Sequence, residues 1–168
     1  LCYNISMNGI LIDRSLGYPN SFYQRLHDLN SEKRPTSPVA LVLKASSREA
    51  SLADVPRIIQ MAKTHRVVLQ KLDQNHSFGE NIQEAFEKTG MRPKKLVCFS
   101  HALDPSSIEV GVDPADEGDR IKTVYVYSSK YVQEEDFLNL DKDAQIFLSG
   151  CETGNGEESL ARRIAEVS

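Results

Sequence analysis

Two side chains in this chain of 168 residues have the type and setting for covalent chemistry, Cys151 and His101. Each stands directly after a short apolar run. Lys94-Lys-Leu-Val-Cys-Phe-Ser100 leads to the histidine, and Ala144-Gln-Ile-Phe-Leu-Ser-Gly150 leads to the cysteine. A thiol attacks as its thiolate, and a neighbouring imidazole promotes that state by taking the proton or by supplying positive charge. Attack on a carbonyl also needs donors for the oxyanion, and backbone N–H groups in the turns after the two runs are suited to this, Ala102 after His101 and Gly150 beside Cys151. Gly150, Gly154 and Gly156 let a substrate backbone come close to the thiol. Asp104 and Glu152 are the acidic candidates for substrate contact, Asp104 because it lies near His101 and Glu152 because it follows the cysteine.

The elements that must position this pair follow from periodicity. Val39-Ala-Leu-Val-Leu-Lys44 is a near-continuous apolar run without polar alternation, as expected for a strand buried on both faces, and Arg66–Leu72, Lys94–Ser100 and Ala144–Ser149 read as three further strands, the last of them also buried. Between the first three lie helical segments. In 52–63, Val55, Ile58, Ile59 and Ala62 form one stripe, and Pro56 fits the first turn. The next helix opens with the capping-box pattern Ser77-x-x-Glu80 and closes near Gly90. Strands alternating with helices predict an α/β fold with a mostly parallel sheet and helices on both faces. His101 and Cys151 then emerge at the carboxyl ends of their strands, where open α/β sheets carry their chemistry.

Residues 102–143 break the rhythm. Polar–apolar alternation in 107–112 and 121–127, joined by an acidic turn at 113–119, predicts a solvated hairpin, and 133–140 predicts a short helix. The last helix is expected from Glu157 to about Val167, with its acids at the start and Arg162 and Arg163 later. Residues 1–36 are read as an N-terminal helical segment, centred on 21–30, followed by a polar linker punctuated by Pro35 and Pro38. Residues 37–168 are read as the main domain.

Composition narrows the classes. A net charge of −4 disfavours nucleic acid and anionic membrane as partners, and no apolar run reaches the roughly 20 residues that span a bilayer. Cys2, Cys98 and Cys151 are an odd number without C-x-x-C spacing, which suits a reducing, cytoplasmic setting better than a disulfide framework or zinc site. Cys98 lies inside a strand and reads as core. His65 and His76 read as solvent-side, and His27 belongs to the N-terminal helical segment. Asp113, Asp116, Glu117 and Asp119 lack the spacing of a calcium loop. The Gly150–Gly156 stretch lacks the lysine of a phosphate-binding loop. No cofactor is called for.

Phe147-Leu-Ser-Gly-Cys-Glu-Thr-Gly-Asn-Gly156 resembles the nucleophile motif of CHAT domains, which belong to the caspase-like cysteine peptidases. The spacing of about 50 residues between His101 and Cys151 is similar to that of caspases. The extended run and small helix between Tyr125 and Leu140 also resemble CHAT domains, and the likeness covers about residues 38–168. It implies a caspase-like three-layer sandwich and a cysteine endopeptidase acting on a protein or peptide substrate. Cys151 would be the nucleophile and His101 the general base or the proton donor to the leaving amine.

Two features depart from that pattern. The family has His-Gly where this chain has His101-Ala102, and a left-handed backbone there would cost an L-residue roughly 1–2 kcal/mol. The family sheet also continues past the nucleophile helix. The expectation is therefore that further C-terminal strands or a partner chain complete the sheet. The alternative reading is a catalytically inactive caspase-like protein that serves as an interaction module.

Overall fold

The computed structural model describes residues 3–5, 10–45, 52–112, 115, 124–150, 154 and 156–168. In chain order its strands are β1 (Tyr3–Ile5), β2 (Leu11–Asp13), β3 (Val39–Ala45), β4 (Arg66–Leu72), β5 (Lys95–Phe99), β6 (Ala102–Asp104), β7 (Ser107–Val112), β8 (Val124–Ser128) and β9 (Gln145–Ser149). Its helices are α1 (Asn20–Ser31), α2 (Asp54–Ala62), α3 (Phe78–Thr89) and α4 (Leu160–Val167).

Six strands form the main sheet in the order β1-β2-β4-β3-β5-β9. All neighbours run parallel except β1, which pairs antiparallel with β2 at one edge. The four predicted core strands are all present, and β3, at the centre, is buried along its whole length. That burial is the reason its sequence shows no alternation. From β3 the chain passes through α2 to β4, then through α3 to β5 on the other side of β3. Right-handed crossovers in opposite directions put the two helices on opposite faces. One face buries Ile58 and Ile59 of α2 with Phe22, Tyr23 and Leu26 of α1. The other buries Phe78, Ile82 and Ala85 of α3 with Leu160 and Ile164 of α4. The protein is thus an α/β three-layer sandwich.

Local chemistry fixes the element ends. The capping box of α3 forms as its sequence predicts: the Ser77 N–H donates to Glu80 Oε2 at 2.7 Å and the Glu80 N–H to Ser77 Oγ at 3.3 Å. Gly90 closes the helix at φ +69°, a left-handed position that glycine takes without strain. Arg66 is buried and donates to the carbonyls of Ser37 at 3.3 Å and Thr89 at 3.2 Å, so it ties the entrance of β3 to the end of α3.

Several segments differ from expectation. The N-terminal stretch, predicted as a helical segment and linker, also supplies β1 and β2 to the sheet, with Ile10, Leu11 and Ile12 in the core. Strands of three residues are too short to show a period. The hairpin has a third strand, β6, so β6-β7-β8 form a small antiparallel sheet. Most of its predicted acidic turn, and the start of its second arm at 121–123, lie outside the described residues. The predicted helix at 133–140 is a 3₁₀ turn at Glu134–Phe137, held by the Gln133 N–H donating to Asp136 Oδ2 at 3.0 Å. The last helix starts at Leu160 rather than Glu157. Ser159 caps it through the Arg162 N–H at 3.3 Å, leaving Glu157 and Glu158 in the preceding turn.

Candidate active site

β5 and β9 are adjacent and parallel, with Phe99 opposite Ser149. Their ends are joined by the Ser100 N–H, which donates to the Ser149 carbonyl at 3.2 Å. His101 lies two positions beyond Phe99, and Cys151 two positions beyond Ser149, on strands held in register. Cys151 and Glu152 fall outside the described residues, as does Thr153. The described residues of the candidate site are therefore His101, Ala102, Asp104, Gly150 and the turn before α4.

His101 is exposed at the carboxyl end of the sheet. Its carbonyl accepts from the Glu109 N–H at 2.9 Å, which fixes its backbone to β7. Ala102 pairs opposite Ile108 in β6. Because the His101 carbonyl takes the Glu109 N–H, the antiparallel alternation turns the Ala102 N–H away from β7. Ala102 is extended, so the cost expected for a left-handed alanine does not arise. Gly150 follows β9 directly and is half-buried.

Asp104 is exposed, and its carboxylate accepts from the Ser106 N–H and the Ser106 hydroxyl, each at 2.7 Å. Hydrogen bonds from the Ser106 side chain first, and from Ser107, hold its carboxyl below the usual carboxylate value. Its first role is to shape the β6–β7 turn. That turn faces the approach to α4 across an open cleft of about 450 Å³, lined by Asp104, Pro105, Ser106, Gly156, Glu157 and Glu158. The Leu160 N–H donates to the Pro105 carbonyl at 2.8 Å and closes the base of the cleft. Gly156 takes φ +87°, so the turn into α4 needs a residue that tolerates the left-handed region.

Some residues near this edge escaped the sequence reading. Arg57 on α2 donates to Ser149 Oγ at 3.5 Å. Lys44, at the carboxyl end of β3, is buried, with Nζ 6.0 Å from the centre of the Tyr18 ring. The Tyr18 hydroxyl lies 3.2 Å from Oδ2 of buried Asp54. A lysine closing a wholly apolar run was the one signal in the sequence. His76, read as solvent-side, is half-buried and sits 2.9 Å from Asp73 Oδ1. Burial lowers the His65 pKa, and nearby Lys95 adds to the effect. Cys98 is fully buried in the core.

Among the described residues no group of His, Cys, Asp and Glu is gathered to hold a metal, and no helix is long and apolar enough to cross a membrane. No protein-family model matches the chain, and no curated protein or solved structure matches it.

Proposed function

We propose that the chain is a caspase-like cysteine peptidase domain of the CHAT type, hydrolysing peptide bonds with Cys151 as nucleophile and His101 as its proton-transfer partner. The observation that carries the reading is the register of β5 and β9. The two strands are neighbours, run parallel and end level, with Phe99 opposite Ser149, so Ser100 and Gly150 leave them at the same edge of the sheet, each one residue before a member of the proposed pair. In the proposed reaction the imidazole takes the thiol proton and the thiolate sulfur bonds to the carbonyl carbon of the substrate. The oxyanion is met by backbone N–H groups, Ala102 among them. The C–N bond breaks as the imidazolium returns its proton to the leaving amine, and water then hydrolyses the thioester. The substrate is a protein or peptide, and the reducing cytoplasm is the setting that keeps such a thiol free.

A panel of peptidyl acyloxymethyl ketones, with acidic, basic or amide side chains before the electrophile, tests the reading. The expected result is covalent labelling at Cys151, located by mass spectrometry and lost in Cys151→Ala and His101→Ala. Folded protein that takes up none of the probes would overturn it and leave the inactive interaction module as the better account.

A further inference from the structure

Three helices end at the amino edge of the main sheet. α1 leads into β3, α2 into β4 and α3 into β5, and the heads of these strands stand level, with Val39 opposite Arg66 and Ala40 opposite Lys95. The connections are pinned in place. Asn30 of α1 exchanges two hydrogen bonds with Val67 of β4: its Nδ2 donates to the carbonyl at 3.0 Å and its Oδ1 accepts from the N–H at 2.9 Å. The Arg66 N–H donates to the Pro38 carbonyl and the Lys94 N–H to the Val39 carbonyl, each at 2.8 Å.

All three connections are basic. Residues 32–38, 63–66 and 90–95 hold seven of the chain's 20 lysines and arginines, but of its 24 acids only Glu32. Arg66 is the buried one, bonded to Ser37 and Thr89. The other six are Lys33, Arg34, Lys63, Arg92, Lys94 and Lys95. They are exposed or half-buried, and among the described residues none has an ion-pair partner. The end of α1 accounts for Lys33, whose Nζ donates to the Leu29 carbonyl at 3.3 Å. Lys94 and Lys95 stand at the head of a strand. Burial lowers the pKa of His65, at the entrance of β4, and the charge of Lys95 adds to it. Like charges gathered on one edge repel, and an anionic partner relieves that repulsion.

We infer that this edge docks an acidic segment of a partner protein, with several aspartates or glutamates in extended chain. Charge is complementary, and so is spacing. From β4 to β5 is two strand intervals, roughly 10 Å. An extended peptide sets same-side carboxylates about 7 Å apart, so two or three of them span the row. Longer polyanions fit less well, because outside these connections the chain has a large excess of acids. The connections have no Phe, Tyr or Trp on which a nucleic-acid base could stack. None of the exposed large apolar side chains lies on them, as insertion into a membrane surface would require. The edge is also the end of the sheet away from His101. Seven residues of chain separate Lys94 from His101, roughly 20 Å when extended. Docking there neither needs nor blocks the proposed chemistry, and it suits a peptidase and an interaction module alike.

Fluorescence anisotropy of the whole chain with a labelled ten-residue peptide of alternating glutamate and glycine tests the inference. The peptide with glutamine in place of glutamate is the control. The expected result is micromolar binding at about 50 mM salt, at least a tenfold loss by about 300 mM, and no detectable binding of the glutamine peptide. Lys94→Glu with Lys95→Glu should weaken binding at least about tenfold. Lys130→Glu with Arg25→Glu, the same charge change elsewhere, should weaken it less than about twofold. Thermal melts check the fold, and Lys94→Gln with Lys95→Gln, milder in charge, should give an intermediate loss. No binding of the glutamate peptide at low salt overturns the inference, as does an equal loss in the two reversal pairs. Tighter binding of a single-stranded oligonucleotide, or of phosphatidylserine vesicles, overturns it in favour of that partner. Self-association that Lys94→Glu with Lys95→Glu abolishes, read by sedimentation equilibrium, overturns it in favour of a second copy. None of these outcomes bears on labelling of Cys151.

Discussion

The Ser100 N–H donates to the Ser149 carbonyl at 3.2 Å, one bond beyond the last residue of β5. It extends the pairing of β5 and β9 to the last residue before His101, so the histidine backbone departs from a fixed point. Ser100 is itself buried. Ala102, two residues on, bears on the proposed chemistry most directly.

Ala102 is extended, and its N–H faces away from β7. Ala102→Gly is therefore expected to leave the rate of Cys151 labelling within a few-fold of the parent. Ala102→Pro removes the N–H without removing a bond to β7, and proline favours an extended residue before it. If that N–H meets the oxyanion, Ala102→Pro should lower peptide hydrolysis by about 10²–10³-fold while the melting temperature stays close to that of the parent. Steady-state kinetics with a thermal melt separates the two effects.

Asp73 supplies a pH dependence. Burial alone would raise its carboxyl, but the hydrogen bond from His76, the Asn75 N–H and nearby charge outweigh that, and its pKa lies below the ordinary value. A carboxyl whose folded pKa is depressed binds more protons when unfolded. Its contribution to stability is full above the ordinary carboxylate value near 4 and is lost as pH falls through the lower folded value. Asp73→Asn is expected to destabilise the protein at pH 7 and to make little difference below the folded pKa. Urea unfolding of both proteins along the acid limb checks the convergence.

Gly79 lies in the first turn of α3 against the 3₁₀ turn at Glu134–Phe137. A Cβ there would stand 2.5 Å from Asp136 Oδ1 and 3.0 Å from the Asp136 Cα. Helix propensity alone would make Gly79→Ala stabilising by up to about 1 kcal/mol. The backbone contact reverses the sign, because the 3₁₀ turn must move as a unit. The expected result is a loss of about 1–3 kcal/mol in chemical denaturation.

Arg66→Met keeps most of the buried volume and removes the donors to Ser37 and Thr89. Burial lowers the Arg66 pKa, yet the group stays charged at any ordinary pH. The substitution leaves two carbonyls without their donor and is expected to cost about 1–3 kcal/mol, nearly independent of pH between 5 and 9. Hydrogen exchange should rise first at the entrance of β3 and the end of α3.

The central strands and α2 and α3 were legible in the sequence because complete burial and a 3.6-residue stripe each leave a strong pattern. The capping box at Ser77 and Glu80 fixed one helix start to the residue. β1 and β2 were illegible because three residues carry no period. α4 was placed early because Glu157 and Glu158 resemble a first turn, whereas the Ser159 hydroxyl makes the cap. Of the candidate site, the ends of the two strands were readable from the residues before His101 and Cys151, whereas their adjacency was not, since no local pattern records which strands pair. The Arg57 contact with Ser149 was not, since it joins residues distant in sequence, and a lone exposed arginine on a helix gives no signal.

The bond from the Leu160 N–H to the Pro105 carbonyl has a mechanical consequence. The segment between Ser149 and Ser159 leaves from a strand bonded to β5 and returns to a helix bonded to the turn after β6. Both of its anchors therefore belong to structure that also flanks His101. For so short a span with fixed ends, the entropy of closure is already met by the scaffold. Substitutions within the segment should then alter its shape more readily than its attachment. A strain that pulled the small β6-β7-β8 sheet outward would carry the histidine and the start of α4 together.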